Sequence, residues 1–342
     1  MKKTLFIVLT LLVALLVCVS CDNSLDADVF TPDPTPETDP NKMPLTLEFI
    51  ADGNLSVDLH YFEPTTSNVY YSVNGGEKIA FEDLVEVPVK AGDKVTLYRD
   101  LSAKSSGPYF VIKCTSDCYV YGNVMSLVDP ENYATATEVP EFAFLSLFFD
   151  NAHIKNHESI DLVLPATTLA KNCYDVMFSN CTALTKAPEL PATTLAKDCY
   201  AGMFSYCTAL TKAPELPATT LADYCYYNMF YACSGLTTAP ALPAKTLASR
   251  CYSGMFQSCT SLEEAPALPA TTLANSCYEY MFKECSSLNK VTCMATTNII
   301  GNTENWLEGV AETGDFYKAS GASWTTGSYS GIPTGWTSHD AN

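Results

Sequence analysis

Hydrophobic and polar residues alternate along residues 44–137. Runs of five or six residues, such as 45–50, 68–73 and 94–98, place apolar side chains at every second position. Turn-forming residues separate these runs, notably the Asn-Gly-Gly sequence at 74–76. A period of two between turns is typical of half-buried antiparallel strands. The pattern therefore predicts a small β-sandwich-like N-terminal domain over residues 44–137.

A different pattern begins at residue 164. The segment LPATTLA at 164–170 recurs with a period of 26 residues, starting again at 190, 216, 242 and 268. Repeats of this length are typical of leucine-rich-type solenoids, in which each repeat buries its apolar face only against its neighbours. Tyr174, Met177 and Phe178 have the i, i+3, i+4 spacing of one inward-facing helical turn. The predicted fold of residues 164–297 is thus an α/β leucine-rich-repeat solenoid with short parallel strands and short convex helices.

Both ends of the repeat array deviate from the common pattern. Residues 138–163 keep part of it and are interpreted as a degenerate capping repeat, since a terminal coil faces a different neighbour. Residues 298–342 contain all three tryptophans of the chain. We expect this segment to form a C-terminal cap, with residues 304–311 helical and the tryptophans covering the last coil.

Ten of the cysteines occupy two columns of the repeat, eight residues apart. They are Cys173, Cys181, Cys199, Cys207, Cys225, Cys233, Cys251, Cys259, Cys277 and Cys285. A helix would separate the two columns by about 12 Å, too far for a disulfide, and pairing within a column of five leaves one thiol over. The columns are therefore interpreted as small buried side chains that stack between repeats, with some disulfides as the alternative. They lack the ligand spacing of a zinc site.

Two further cysteines, Cys114 and Cys118, lie outside the repeats. No second Cys or His pair accompanies them, so metal binding is a weak interpretation. A local disulfide or two packed thiols are the remaining interpretations, because the cysteines of an exported chain can be oxidised.

The first 43 residues have the composition of an export signal followed by a linker. Lys2 and Lys3 precede an apolar run over residues 5–19, which Ser20 and Cys21 follow, an arrangement typical of a secretory signal peptide over residues 1–20. The residues before Cys21 resemble a bacterial lipobox, which predicts lipidation of Cys21; plain secretion is the alternative. Residues 21–43 are acidic and rich in proline, which predicts an extended linker.

Charge and motif content exclude several classes of function. The chain carries 38 acidic and 19 basic residues, a net charge of −19, which repels nucleic acid. It contains no P-loop, GxSxG, GxGxxG or EF-hand pattern. His153 and His157 have the i, i+4 spacing of a metal site, but the glutamate of a zinc protease does not accompany them, so a solvated loop is the favoured interpretation. We therefore expect no enzyme, no cofactor and no metal site.

Residues that differ among the repeats occupy positions where core packing does not fix the residue type. Five of them are tyrosines: Tyr206, Tyr224, Tyr227, Tyr231 and Tyr280. Tyrosine is a frequent anchor for protein partners and can also stack on sugars. These five residues form the candidate ligand-binding surface, and scattered surface tyrosines without a common role are the alternative.

The repeat unit LPATTLAxxCYxxMFxxCxxLxxAPx, with the ending NWLEGV at 305–310 and GIPTGW at 331–336, resembles the BspA-like leucine-rich repeat surface lipoproteins of Bacteroides-type bacteria. The resemblance implies a lipid-anchored protein of the outer membrane that is exposed on the cell surface. It also implies adhesion to host extracellular proteins or to bacterial surface proteins, without catalysis. A glycan-binding surface lipoprotein and a passive envelope or periplasmic scaffold are the alternative functions.

Overall fold

The computed structural model describes residues 38–59, 68–99, 110–327 and 329–341. All of them belong to one unit, Glu37–Asn342. The predicted signal peptide, the predicted lipidation site Cys21 and linker residues 21–37 lie outside the described residues.

Thirteen strands are present in the described residues, and two 3₁₀ segments, Pro40–Lys42 and Val124–Leu127, accompany them. The strands are β1 (Thr46–Phe49), β2 (Gly53–Asp58), β3 (Val69–Val73), β4 (Ile79–Ala80), β5 (Val87–Val89), β6 (Lys94–Arg99), β7 (Val111–Cys114), β8 (Cys118–Asn123), β9 (Ile154–Asn156), β10 (Leu162–Val163), β11 (Lys290–Cys293), β12 (Gly314–Ala319) and β13 (Trp336–Ala341).

The N-terminal strands form two sheets. One has the order β10-β8-β1-β6-β3-β4, with β9 also paired to β8, and the other has the order β5-β2-β7. Pairing among β1 to β8 is antiparallel throughout. Alternate residues are buried in several of these strands, as Leu55 and Val57 are in β2 and Leu47 and Phe49 are in β1. The apolar faces of both sheets contribute to one continuous core.

Strand β8 joins these sheets to the repeats. It pairs antiparallel with β1, where Leu47 lies opposite Val120, and parallel with β9, where Cys118 lies opposite Ile154. It also pairs parallel with β10. The change from antiparallel to parallel pairing on this one strand marks the start of the coils.

The predicted α/β solenoid with convex helices is wrong, because the described residues contain no α-helix. The segments predicted as helices are tandem turns. The N–H of Tyr174 donates to the carbonyl of Cys199 in the next coil at 3.0 Å, whereas the N–H of Met177 donates to Tyr174 within the coil at 3.3 Å. N–H groups alternate between these two kinds of acceptor, whereas an α-helix directs every N–H to its own chain four residues back.

Left-handed backbone closes these turns at intervals of four residues. In the first complete coil the residues with positive φ are Asn172 (53°), Val176 (46°) and Asn180 (62°). The buried residues follow the same interval, with Cys173, Met177 and Cys181 on the inside. Because positive φ and buried side chains both recur every four residues, each coil keeps one inward face although these turns are not a helix.

The parallel strands predicted for the repeats are mostly replaced by single bridges. Between most coils only isolated parallel bridges occur, such as Thr168 with Thr194 and Thr220 with Thr246. Prolines such as Pro188 and Pro191 lack the N–H that a longer ladder needs. At the C-terminal end β11, β12 and β13 pair in order as a continuous parallel sheet.

Aromatic rings stack along the core of the coils. One column runs from Phe144 through the tyrosines that begin at Tyr174 to Trp306, with ring centroids 5.4 to 6.3 Å apart. A second column of phenylalanines runs from Phe148 to Phe282 with spacings of 5.4 to 5.7 Å. Each coil thus buries its rings against the rings of both neighbours.

The C-terminal segment ends the stack with tryptophans. Trp306 stacks on Tyr278 at 6.3 Å and on Trp324 at 5.3 Å, and its Nε1 donates to the carbonyl of Gly331 at 3.1 Å. The predicted helix over residues 304–311 is wrong, because this stretch continues the tandem turns.

Candidate functional site

The outward side chains of the tandem turns form a surface, here called the turn face, which includes all five candidate tyrosines. Tyr206 is exposed and the other four are half-buried. Three of the five, Tyr206, Tyr224 and Tyr280, have left-handed backbone with φ of 60°, 58° and 55°. Bulky residues rarely adopt this conformation. It persists here because the hydrogen bonds to the next coil hold these residues; the N–H of Tyr206, for example, donates to the carbonyl of Tyr231 at 2.7 Å.

Tyr206 and Tyr231 form the first tyrosine pair of the turn face. They belong to neighbouring coils, and their rings meet edge to face with centroids 5.1 Å apart. Tyr206 is 46% exposed. A hydrogen bond between the two side chains, together with partial burial, raises the pKa of Tyr231. The pair therefore presents a wide aromatic surface in which the Tyr231 hydroxyl stays protonated at neutral pH.

Tyr224 and Tyr227 form the second tyrosine pair, within one coil. Their ring centroids are 5.8 Å apart and the rings are again nearly perpendicular. Lys197 from the preceding coil and Arg250 from the following coil lie over the Tyr224 ring, at 5.6 and 6.0 Å from its centroid. Such cation–π contacts orient the ring.

The fifth candidate, Tyr280, lies apart from these pairs. Among the described residues no ring contact joins it to the other four tyrosines, and its ring faces the ammonium group of Lys283 at 5.7 Å. The predicted surface thus divides into two tyrosine pairs on neighbouring coils and one separate residue.

Sequence reasoning missed Lys197 and Arg250 as neighbours of the tyrosines. Arg250 occupies the repeat position equivalent to Tyr224, and Lys197 precedes that position by one residue in its own coil. The period of 26 would therefore have placed both beside the ring. Arg250 also forms an ion pair with Glu279 at 2.9 Å, which restrains it.

Two carboxylates of the turn face have raised pKa values. Burial raises the pKa of Asp175 to about 6, against the opposing effect of a hydrogen bond from Asn172. Burial also raises the pKa of Asp198 on the next coil. Asp175 therefore loses its negative charge as the pH falls through about 6.

The ten repeat cysteines are all fully buried. In the column of Cys207 the sulfur donates to a backbone carbonyl of the preceding coil, at 3.1 Å from Cys207 to Phe178 and 3.0 Å from Cys233 to Phe204. Burial raises the pKa of Cys207 to about 12, so this thiol stays protonated. No group of three or more His, Cys, Asp or Glu side chains within the described residues is arranged to hold a metal ion.

Asp117, the residue before β8, has both a lysine and a histidine as partners. It accepts hydrogen bonds from Lys155 at 2.5 Å and from His153 Nδ1 at 3.0 Å. These partners, Lys155 first, lower the pKa of Asp117. A carboxylate that is held in its ionised form, chiefly by Lys155, serves as an ion-pair acceptor between β8 and β9.

Comparison of the chain with models of protein families, with curated protein sequences and with solved structures gives no match. Within the described residues, no helix has the length and apolar character needed to cross a bilayer.

Proposed function

We propose that this protein is a cell-surface lipoprotein of the outer membrane that presents its stacked coils for protein–protein interaction. Its partner is an extracellular host protein or a surface protein of another bacterium, and its role is adhesion. The signal peptide, the lipobox-like segment before Cys21 and the resemblance to BspA-like surface lipoproteins support the location. The two tyrosine pairs on the turn face support the interaction.

Rigidity makes these tyrosines suitable anchors. Partners are held mainly by a few aromatic or arginine side chains in well-packed surroundings, and a side chain that is already ordered loses little entropy on binding. Tyr206 and Tyr231 restrain each other, and cations from both neighbouring coils restrain Tyr224. The backbone below them is hydrogen-bonded from coil to coil.

The location is tested by protease treatment of intact cells. An antibody against the repeats follows the protein, and a periplasmic protein serves as control. We expect loss of the repeats while the periplasmic control is retained. Protection of the repeats in cells with an intact envelope would contradict surface exposure and favour the periplasmic scaffold.

Binding is tested with the purified chain on panels of extracellular matrix proteins and bacterial surface proteins. Tyr227→Ala with Tyr231→Ala is expected to weaken binding tenfold or more, since each aromatic anchor contributes about 1 to 2 kcal/mol. Tyr280→Ala is the matched control, because it removes a tyrosine of the same face outside both pairs. Equal loss in the control would contradict the site, and tyrosine-dependent binding to a glycan array alone would favour the glycan-binding alternative.

A further inference from the structure

Two cysteine sulfurs lie in contact where the chain crosses between the N-terminal sheets. Cys114 is the last residue of β7 and Cys118 is the first residue of β8. Their Sγ atoms are 3.7 Å apart, and the side chains are buried, Cys118 completely. The two sulfurs are therefore in direct contact, whereas a disulfide bond joins its sulfurs at about 2.05 Å.

The repeat thiols are arranged differently. In the column of Cys207 each sulfur is directed at a backbone carbonyl, at 2.9 Å from Cys285 to Phe256 for example. In the other column, Cys199 approaches the carbonyl of Cys225 at 4.0 Å. Within the described part of the chain, Cys114 and Cys118 are the one pair whose sulfurs are within hydrogen-bond distance of each other.

We propose that Cys114 and Cys118 are an oxidation site that forms one disulfide when the chain folds in an oxidising compartment, while the repeat cysteines stay reduced. The proposal rests on one part of the proposed function, namely that the chain is exported to such a compartment. The partner in the reaction is a protein or small-molecule disulfide.

The reaction is thiol–disulfide exchange in two steps. The thiolate of Cys114 attacks one sulfur of the external disulfide, forms a mixed disulfide and releases the other sulfur as a thiolate. The thiolate of Cys118 then attacks the Cys114 sulfur and displaces the second external thiolate. Cys114 and Cys118 lose two electrons and two protons in total, and the external disulfide is reduced to two thiols.

The surroundings of the two thiols set their order of reaction. Hydrogen bonds from Cys118 and from Asn151, opposed by burial, lower the pKa of Cys114 below that of an ordinary thiol. The hydrogen bond to Cys114 and burial raise the pKa of Cys118. Because the thiolate is the reactive form, these contacts favour Cys114 as the attacking thiol once folding has brought the two sulfurs together. Burial in the finished fold then restricts the exchange to the last stage of folding, before the sulfurs are enclosed.

The disulfide would act at the junction of the molecule. Strand β7 belongs to the sheet β5-β2-β7, whereas β8 pairs with β9 and β10 of the first coil. Asn151 of that coil donates to the carbonyl of Ile112 in β7 at 3.1 Å. A covalent bond between Cys114 and Cys118 therefore fastens the second sheet to the strand on which the coils begin.

Peptide mass analysis tests the proposal on the full chain. The protein is refolded with oxidised and reduced glutathione, denatured without reductant, alkylated and digested with trypsin. Cys114 and Cys118 are the two cysteines of the fragment from residue 114 to Lys155, and Cys173 and Cys181 are those of the fragment 172–186. We expect the first fragment to be unalkylated and two hydrogens lighter than its reduced form, and the second to carry two alkyl groups.

Two outcomes would overturn the proposal: alkylation of both thiols in the first fragment, or protection of the thiols in the second. A melting experiment gives an independent readout. Reductant should lower the melting temperature of the oxidised wild-type chain by a few degrees, an effect expected to vanish in Cys118→Ser and to persist in Cys207→Ser. Refolding is carried out in vitro, so a failure here is distinct from failure of the surface location in the protease experiment.

Discussion

At the scale of single residues, the turn face depends on side chains that alternate in size from coil to coil. One left-handed position is occupied in successive coils by Val176, Gly202, Asn228, Gly254 and Tyr280. A Cβ atom added to Gly202 would lie 2.8 Å from Cγ1 of Val176, and one added to Gly254 would overlap Oδ1 of Asn228. Each glycine therefore accommodates the side chain of the preceding coil.

Gly254→Ala is expected to destabilise the protein for two reasons. The new Cβ overlaps Asn228, and the backbone keeps a φ of 62° that disfavours alanine. The combined loss is about 2 to 4 kcal/mol in the free energy of unfolding. Gly301→Ala is the control, because φ is also positive there but the added Cβ has open space, so about 1 kcal/mol is lost. Equal losses in urea unfolding would refute the packing role of Gly254.

Asp175 makes stability depend on pH. Its folded-state pKa of about 6 exceeds the ordinary value of 3.8, so the folded protein disfavours the ionised form. The resulting loss of stability is absent below pH 3.8, grows between pH 3.8 and 6 and is constant above. Asp175→Asn should therefore add about 1 to 2 kcal/mol at pH 8 and nothing at pH 3.5. Denaturation at both pH values checks this, with exposed Glu189→Gln as control; a gain at pH 3.5 would contradict it.

At the scale of elements, the choice between helix and tandem turns was predictable only in part. Cys173, Met177 and Cys181 are spaced by four, and in a helix of 3.6 residues per turn Cys181 would lie about 80° around the axis from Cys173. Gly202 and Asn228, at one repeat position, are residue types that tolerate positive φ. The i, i+3, i+4 spacing nevertheless occurs in both structures, so it predicted a helix that is absent.

The two cysteine columns are expected to respond differently to serine. The sulfur of Cys207 lies 3.1 Å from the carbonyl of Phe178, whereas that of Cys199 lies 4.0 Å from the carbonyl of Cys225. A serine hydroxyl at position 207 would keep the carbonyl of Phe178 as its hydrogen-bond acceptor. A hydroxyl at position 199 would be buried without a near acceptor, which costs about 1 to 3 kcal/mol in the free energy of unfolding. Cys199→Ser should thus be the more destabilising change in urea unfolding. Equal costs would show that the thiol hydrogen bond contributes nothing.

The tyrosine pairs show which contacts the sequence of a single repeat leaves undetermined. The positions of the five tyrosines as variable residues of the repeat were readable from the sequence. Contact between Tyr206 and Tyr231 depends on how far one coil is displaced on the next, which the hydrogen bond from Tyr206 N–H to the Tyr231 carbonyl sets. Tyr280 is excluded because its coil is the second after that of Tyr227.

At the scale of the whole molecule, the coils and the N-terminal sheets share one core. Each coil contacts the coils before and after it through stacked rings and backbone hydrogen bonds. Stability in such arrays is approximately a sum over neighbouring coils. The chain should accordingly tolerate the loss of one complete coil.

Deletion of residues 216–241 removes one period and joins Glu215 to Leu242, which begins the next copy of the repeat. We expect a folded protein with the same circular dichroism per residue and with lost or weakened binding, since Tyr224, Tyr227 and Tyr231 are gone. Deletion of residues 229–241 is the control, because half a period places polar positions inside and should prevent folding. Unfolding by the complete deletion, or folding by the half deletion, would contradict independent stacking.

The sequence by itself determined the period of the coils, the residues that point inward and the existence of an antiparallel N-terminal region. These follow from apolar residues such as Met177 and Phe178 recurring at fixed intervals, and burial of apolar surface depends on that pattern alone. Only the tertiary structure decided that the segments around them are turns. An N–H group such as that of Tyr174 has its acceptor in the next coil, and that acceptor exists only once the coils are stacked.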